Sequence, residues 1–392
     1  MRTWQRLTAA GVFLSVTGLG VAAAAAPGWT TVRSVNAGPN ENELLTVTAL
    51  SKTNAWAFGA YYKHPDWGGT TWLAAHWDGQ RWSQATLPTA RCGLAGISDS
   101  SAGSARNIWL LGYGNGWSDD LPCLLHYHSG TWSQAPLIGL EVDLPMSWAD
   151  IAAAPGNRAW LAGAQLIYGV GAVPTIAKFN GSYWQVTNVP LASGLEGSFT
   201  GLARIPRTSQ WVAIGETDNV GSDPSQGALV ARFDGTSWSV QDVPDPAGVE
   251  LKDVLPLSPT NIWAVGYRSG AELGEISPVV AHYTASGWRF LPVNPKLHGL
   301  LLGVAAHGPH DVVMVGRTGY QTVDAVPGER TLVLRWNGSR IYRQPSPNPA
   351  TGETNRLADV ASIPGTRQFW AVGGSGAYGR TLTARTLAAR GR

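Results

Sequence analysis

The chain of 392 residues is poor in charge and in cysteine, and both shortages limit what it can do. Asp, Glu, Lys and Arg make up 14% of it, with a formal net charge of +2, whereas average domains contain about 25%. A nearly balanced charge provides no basic surface for nucleic acid or an anionic membrane. Two cysteines, Cys92 and Cys123, cannot form a four-ligand zinc site, so no metal is expected.

The chain also lacks the motifs of common catalytic and nucleotide-binding sites. It has no G-x-S-x-G, no H-E-x-x-H and no P-loop. Carboxylate pairs for glycoside cleavage could be drawn from several acidic residues, but no spacing selects one pair. An eliminative lyase would need a Tyr or His base, for which Tyr62 with His64 is the one close candidate. The sequence therefore favours a protein that is not an enzyme and needs no cofactor.

The N-terminus has the parts of a secretory leader. A basic start and an apolar stretch over residues 7–21 are followed by a run of alanines. The apolar stretch approaches membrane-spanning length, so an uncleaved anchor is the alternative. We predict a cleaved leader over residues 1–26 and one secreted, extracellular domain over residues 27–392, which keeps no membrane span. An oxidising compartment would allow one disulfide, Cys92–Cys123.

Two short motifs recur along the chain. One reads "TNAWAFG" or "TNIWAVG" and ends in a glycine that returns about every 50 residues. The repeat glycines are Gly59, Gly112, Gly163, Gly215, Gly266, Gly316 and Gly373. The other motif, "AHWDGQRW" at 75–82, combines aromatic residues with Asp-Gly or Asn-Gly. This period is typical of propeller blades.

The second motif predicts a β-hairpin rather than a catalytic pair at His76 and Asp78. In other copies the histidine is replaced by Lys178 or Arg232, whereas the turn residues and most aromatics persist. Asp-Gly and Asn-Gly favour type I′ turns, in which both central residues have positive φ. Each repeat then supplies four strands: a short apolar strand A, strand B with the Trp-x-x-Gly, and strands C and D around the turn.

Seven such repeats predict an all-β fold, a seven-bladed β-propeller of four-stranded antiparallel blades without helices. The last repeat stops after its strand C, "RTLTARTL" at 380–387, whereas "GWTTVRSVNAG" at 28–38 resembles a strand D. We therefore predict that the N-terminal strand pairs with the last blade and closes the ring.

The blades resemble those of secreted propeller-repeat proteins of high-GC bacteria, which are loosely similar to kelch and Asp-box propellers. "WAVG" at 263–266 and "HWDGQRW" at 76–82 carry the resemblance, which covers nearly the whole predicted domain. It implies the fold and a secreted location but no defined activity. Among the repeat glycines, the double glycine of kelch repeats occurs only at Gly373–Gly374, and the strict Asp-box pattern is missing.

The long B–C and D–A connections gather on one face of the predicted ring. They carry aromatic residues outside the repeated core positions, beside carboxylates. Such pairs suit sugars or peptides; the alternative is that the aromatic rings pack on neighbouring loops. The predicted ligand-binding residues are Tyr62, Trp67, Trp117, Asp66 and Asp119.

A second candidate site lies where the innermost strands face the central channel. Asp150, Asp253 and Asp359 occupy the third position of strand A, and the second repeat places Gly96 there. These carboxylates could bind a cation or polar ligand at the channel mouth. Alternatively, each caps backbone N–H groups of an adjacent blade.

Together these observations predict a secreted, monomeric propeller that binds a glycan or a cell-surface protein through its loop-rich face. The alternative is a carbohydrate-active enzyme, either a polysaccharide lyase or a glycoside hydrolase, on the same scaffold. A structural surface protein without a small ligand is the third class.

Overall fold

The computed structural model confirms an all-β, seven-bladed propeller. Its described residues form 28 strands in seven four-stranded antiparallel sheets, with no helix among them. No helix that could cross a membrane is therefore found in that part of the chain. The described ranges are 28–38, 40–62, 70–88, 96–112, 122–140, 146–219, 227–270, 275–319, 328–351, 353–376 and 380–386.

Each of the first three blades contains four consecutive strands, ordered A to D from the channel outward. Blade 1 consists of β2 (Asn40–Ser51), β3 (Asn54–Tyr62), β4 (Thr70–Trp77) and β5 (Trp82–Ala85). Blade 2 consists of β6 (Ile97–Ser104), β7 (Asn107–Gly112), β8 (Cys123–His128) and β9 (Thr131–Gln134). Blade 3 consists of β10 (Met146–Ala154), β11 (Arg158–Ile167), β12 (Gly171–Phe179) and β13 (Trp184–Asn188).

The next three blades repeat this order. Blade 4 consists of β14 (Leu195–Arg204), β15 (Trp211–Asn219), β16 (Gly227–Phe233) and β17 (Trp238–Val240). Blade 5 consists of β18 (Val249–Ser258), β19 (Asn261–Ser269), β20 (Ile276–Thr284) and β21 (Gly287–Phe290). Blade 6 consists of β22 (Gly299–Gly308), β23 (Asp311–Thr318), β24 (Arg330–Trp336) and β25 (Ile341–Arg343).

Blade 7 joins the two ends of the chain, as the sequence predicts. Its strands are β26 (Asn355–Ser362), β27 (Phe369–Ser375), β28 (Arg380–Thr386) and, as strand D, β1 (Trp29–Val32). β1 pairs antiparallel with β28, and Trp29 lies opposite Thr386. The N-terminal strand thus covers the edge that β28 would otherwise expose.

A β-bulge in every strand A explains the repeat glycine. The register between strands A and B shifts by one residue at the same level in all seven blades. Gly163 lies opposite Trp148, next to the bulge, where a Cβ would stand 1.9 Å from the carbonyl oxygen of Ser147. Only glycine allows this close approach of two backbones.

Aromatic side chains fill the junctions between blades. Trp109 of β7 lies 5.5 Å from Phe179 and 6.0 Å from Trp184, measured between ring centroids. At the ring closure, Trp370 contacts both tryptophans that flank the blade 1 hairpin, Trp77 and Trp82. The repeated tryptophans are therefore core residues, which join each blade to the next.

His76 and Asp78 belong to this scaffold. The His76 Nε2 lies 3.0 Å from Asn54 Oδ1, and its ring centroid lies 4.4 Å from that of Trp56. Asp78 Oδ1 accepts hydrogen bonds from the backbone N–H groups of Gln80 and Arg81 at 2.8 and 2.9 Å. Each group thus has a structural partner within blade 1.

The prediction of type I′ turns at Asp-Gly and Asn-Gly is wrong. Trp77 pairs with Trp82, so the loop has four residues, and among them only Gly79 has positive φ, at 100°. The Asp78 carboxylate caps the loop, so a two-residue turn is unnecessary. Two positive φ angles occur instead at Ser129 and Gly130, with values of 53° and 92°.

Candidate functional site

The B–C and D–A connections meet on the face that we call the loop-rich face, and the A–B and C–D turns form the short-turn face. Tyr62 is the last residue of β3, so it lies at the loop-rich face. The other predicted ligand residues lie outside the described residues and stay hypotheses. They are Asp66, Trp67, Trp117 and Asp119.

Tyr62 lines a cavity of about 310 Å³ between blades 7 and 1, which we call the junction pocket. Blade 1 supplies the start of β2, the end of β3 and Thr70, the first residue of β4. Blade 7 supplies the start of β26 and the end of β27. Its polar lining includes Glu41, Asn42, Glu43, Tyr62, Thr354 and Arg356.

An ion pair across the two blades organises the junction pocket. The Arg356 guanidinium donates from Nε and Nη2 to the two carboxylate oxygens of Glu43. Burial acts to lower the pKa of Arg356, but hydrogen bonding to Glu43 and the Glu43 charge outweigh it, so the pKa is raised. Asn42 is held beside the pair by two hydrogen bonds with the Gly38 backbone. The pocket therefore has preorganised walls.

The bulges place residues of all seven strands A around a central cavity of about 410 Å³. Four carboxyl groups line it, one more than the sequence predicts, because β6 begins at Ile97 and brings Asp99 to the level assigned to Gly96. The residues at this level are Thr46, Asp99, Asp150, Gly201, Asp253, Gly303 and Asp359.

A sequence signal for Asp99 exists. In each of the four blades, the aspartate stands two positions after a large apolar residue, as in Ile97-Ser98-Asp99 and Trp148-Ala149-Asp150. The apolar residue lies opposite the repeat glycine and the middle residue is the one that the bulge skips. Counting from that apolar residue gives the correct level.

Each channel aspartate accepts a hydrogen bond from a backbone N–H group of the next blade. Asp253 Oδ2 lies 2.7 Å from the Val304 nitrogen, and Asp359 Oδ2 lies 2.7 Å from the Val47 nitrogen. Asp99 accepts a hydrogen bond from the Ile151 backbone N–H at 3.3 Å, and Asp150 accepts one from the Leu202 backbone N–H. These are the capping contacts that the sequence leaves open, and they link adjacent blades.

The channel carboxyls are buried together, and burial raises their pKa values. The pKa of Asp150 rises to about 6, and those of Asp253 and Asp359 rise to about 7. Burial and the charge of Asp150 raise the pKa of Asp99 well above its usual value. Within the described residues, no group of three or more His, Cys, Asp or Glu side chains is arranged to hold a metal ion.

A third polar group lies between blades 4 and 5 at the loop-rich end of the channel. The Tyr267 hydroxyl and the Lys252 ammonium both donate to the Glu250 carboxylate. Glu216, on the neighbouring β15, has a buried Oε2 that finds no hydrogen-bond partner among the described residues, and burial raises the pKa of this carboxyl. Sequence reasoning missed this group because its members come from three strands.

Cys123 is the first residue of β8 and is disulfide-bonded. Cys92 lies outside the described residues, so its pairing with Cys123 stays a prediction.

Comparison with known proteins shows the fold. No family model matches the chain, and no curated protein matches it. YCF48 from Cyanidioschyzon merolae is 14% identical with a TM-score of 0.56, over 92% of this chain and 98% of that one. A structure described as YCF48 bound to D1 peptide is 17% identical with a TM-score of 0.55, over 93% and 96%. The chain shares the β-propeller fold with these neighbours.

The extracellular domain of the putative one component system BT4673 from B. thetaiotaomicron is a further neighbour. It is 11% identical with a TM-score of 0.53, over 91% of this chain and 39% of that one.

Proposed function

We propose that this protein is a secreted, non-enzymatic recognition protein that binds a glycan or another extracellular partner on its loop-rich face. The observation that carries the proposal is the junction pocket, where Glu43 and Arg356 are fixed by one another beside the Tyr62 ring. A concave site with few, well-held polar groups and an aromatic residue is typical of ligand binding.

The charges of the junction pocket favour a hydroxyl-rich ligand. Glu43 and Arg356 neutralise each other, so they offer fixed hydrogen-bonding atoms rather than a net charge. Glu41 is an exposed carboxylate on the same wall, and carboxylates accept hydrogen bonds from hydroxyl groups. The Tyr62 ring adds an apolar face. This combination fits the C–H faces and hydroxyl edges of a sugar.

We expect further residues to belong to the same site because of how the chain is connected. Tyr62 and Thr70 both line the junction pocket, and the segment between them carries Asp66 and Trp67. The corresponding loop of the next blade carries Trp117 and Asp119. The alternative ligand is a protein. Two of the structurally similar proteins support this alternative, since one was solved with a bound peptide and the other is an extracellular domain.

The test is binding of the purified protein to immobilised panels of oligosaccharides and peptides. Tyr62→Ala and Glu41→Gln should each weaken binding by roughly 1–3 kcal/mol without lowering the melting temperature. Trp67→Ala and Trp117→Ala should behave in the same way. Tyr342→Ala, at a partly exposed tyrosine on β25 of blade 6, is the matched control and should bind normally. Normal binding by both Tyr62→Ala and Glu41→Gln would exclude the junction pocket.

The group between blades 4 and 5 favours a second candidate function, glycan cleavage. Burial raises the pKa of Glu216, which is the direction that a general acid needs, and Tyr267 is hydrogen-bonded to Glu250 as an activated base would be. Reducing-end and unsaturated-product assays on the oligosaccharides that bind would detect hydrolysis and elimination respectively. Product formation that Glu216→Gln abolishes would support catalysis, and bound ligand recovered intact would support recognition alone.

A further inference from the structure

Blade 3 departs from the repeat in its side-chain hydrogen bonding. In the other blades, the residue five positions before the repeat glycine is Asn, Asp or Gln. In five of these blades, its side chain is hydrogen-bonded to a His or Arg on strand C. We call this contact the B–C side-chain bond. The pairs are Asn54–His76, Asn107–His126, Gln210–Arg232, Asn261–His282 and Asp311–Arg335, at 2.7–3.0 Å.

Blade 3 has Arg158 where the other blades have this acceptor, and its strand C carries Lys178. Two cations cannot form the bond. Neither Arg158 nor Lys178 has a carboxylate or amide side-chain partner among the described residues. The Lys178 ammonium instead lies 5.3 Å from the centroid of the Trp160 ring. The strand C residue that a side-chain acceptor holds in five blades, a histidine in three and an arginine in two, is in blade 3 a lysine without such an acceptor among the described residues.

The neighbouring blade departs from the repeat at the same junction. The tryptophan of blade 4, Trp211, stands one position earlier than in the five other repeats that have one. Its ring stacks on Trp160 with a centroid distance of 4.6 Å and an interplanar angle of 17°. The two irregularities thus meet between blades 3 and 4.

An open groove of about 340 Å³ lies at this junction, at its short-turn end, and is called the blade 3–4 groove here. One wall is aromatic, with Phe233 and Trp238 of the blade 4 hairpin only partly buried. The other wall carries the exposed side chains of Lys178, Gln185 and Thr187. Lys178 is the one charged residue in the described lining.

The nearest carboxylate of the blade 4 hairpin does not neutralise this cation. Asp234 accepts hydrogen bonds from the backbone N–H groups of Thr236 and Ser237 at 2.7 and 2.9 Å. It has no salt bridge with Lys178. The groove therefore combines aromatic faces, uncharged hydrogen-bonding groups and an available positive charge.

We propose that the blade 3–4 groove is a binding site for an acidic sugar. The C–H face of the pyranose packs on Phe233 and Trp238, and Gln185 and Thr187 bind its hydroxyl groups. The carboxylate or sulfate of the sugar pairs with the Lys178 ammonium. This site is independent of the junction pocket, which lies on the opposite face between other blades.

Calorimetric titration of the purified protein tests the site with three oligosaccharides: an oligogalacturonate, a heparin-derived sulfated fragment and a neutral cello-oligosaccharide. An oligoglutamate is the fourth probe. At least one acidic oligosaccharide should bind, and the two acidic probes distinguish carboxylate from sulfate. Lys178→Met should weaken that binding on the order of tenfold, and Trp238→Ala should do so too. Lys296→Met, at an exposed lysine of another blade, should bind normally.

Arg158→Asn is the most specific variant because it supplies the acceptor that the other blades have. We expect Lys178 to turn toward it, so binding should weaken about fivefold while the melting temperature stays the same or rises. Tyr62→Ala should leave binding in this groove unchanged, which separates the two sites. The proposal would be overturned if the neutral cello-oligosaccharide bound as tightly as the acidic oligosaccharides, or if no probe bound. It would also be overturned if oligoglutamate bound and Lys178→Met abolished that binding.

Discussion

Replacing Asp253 by Asn should change the stability of the propeller by an amount that depends on pH. The Asp253 carboxyl is buried beside the channel and accepts hydrogen bonds from Val254 and, across the blade junction, from Val304. Burial, together with the charges of Asp359 and Asp99, raises its pKa to about 7. The ordinary value, which we take for the unfolded chain, is 3.8.

The sign follows from proton binding. Below pH 4 the carboxyl is protonated in both states, so its contribution to stability is complete. As pH rises from 4 to 7, the unfolded chain releases the proton first, and the folded state loses stability relative to it. For these two pKa values, the contribution of Asp253 to the free energy of unfolding is about 2 kcal/mol larger at pH 5 than at pH 7. Asn has no proton to lose.

Wild type and Asp253→Asn must be compared at each pH, because other groups titrate with the opposite sign. Burial lowers the pKa of His126 and of His282 to about 4, so these rings favour the unfolded state as pH falls below 6.5. This effect is common to both proteins and cancels in their difference. Urea unfolding of the two at pH 5 and pH 7 gives that difference.

We expect the variant to lose about 2 kcal/mol more, relative to wild type, at pH 5 than at pH 7. Asp242→Asn, at an exposed aspartate of blade 4, is the control and should show the same difference at both pH values. A difference for Asp253→Asn that does not vary with pH, or that is larger at pH 7, would refute the reasoning.

Three further predictions concern the scaffold. Trp263→Ala should lower the free energy of unfolding by roughly 3–5 kcal/mol because it empties a fully buried core position, and urea unfolding with a smaller loss would show that the junction tolerates the cavity. Deleting residues 27–37 should lower the melting temperature and promote aggregation, since β28 loses its partner; unchanged melting and light scattering would mean that the ring closes otherwise. Mass spectrometry of the unreduced protein should find Cys92 linked to Cys123, and two free thiols would contradict the pairing.

The propeller could be predicted because its determinants are local and repeated. The Trp-x-x-Gly glycine, opposite a bulge that recurs in every blade, sets the period, and the missing last strand indicates the closure. Two predictions are wrong: one concerns a single blade, and the other concerns the turn shared by the Asp-Gly and Asn-Gly hairpins. Counting from the start of the apolar segment puts Gly96 where Asp99 lies, three positions away, whereas counting from Ile97, which pairs with the repeat glycine, gives the correct level. The turn type was wrong because the Asp78 side chain caps a longer loop.

The polar contacts of the candidate sites could not be predicted from the sequence. Glu43 and Arg356 are separated by 313 positions and meet only because the first and last blades are neighbours. Glu216 and Lys252 likewise interact across a blade junction. No local spacing encodes such pairs. The sequence shows Arg158 as an exception to a repeated pattern. Only the B–C side-chain bonds of the other blades show that this exception leaves Lys178 without an acceptor.

The closure of blade 7 also sets the orientation of the protein on whatever carries it. Trp29 begins β1 opposite Thr386 at the end of β28, and strands C and D meet at the short-turn face. Trp29 and Thr386 therefore both lie at that face. A support attached at either of these ends would hold the propeller by its short-turn face, with the junction pocket turned outward. The blade 3–4 groove would then lie near the supporting surface, within reach of acidic polymers there.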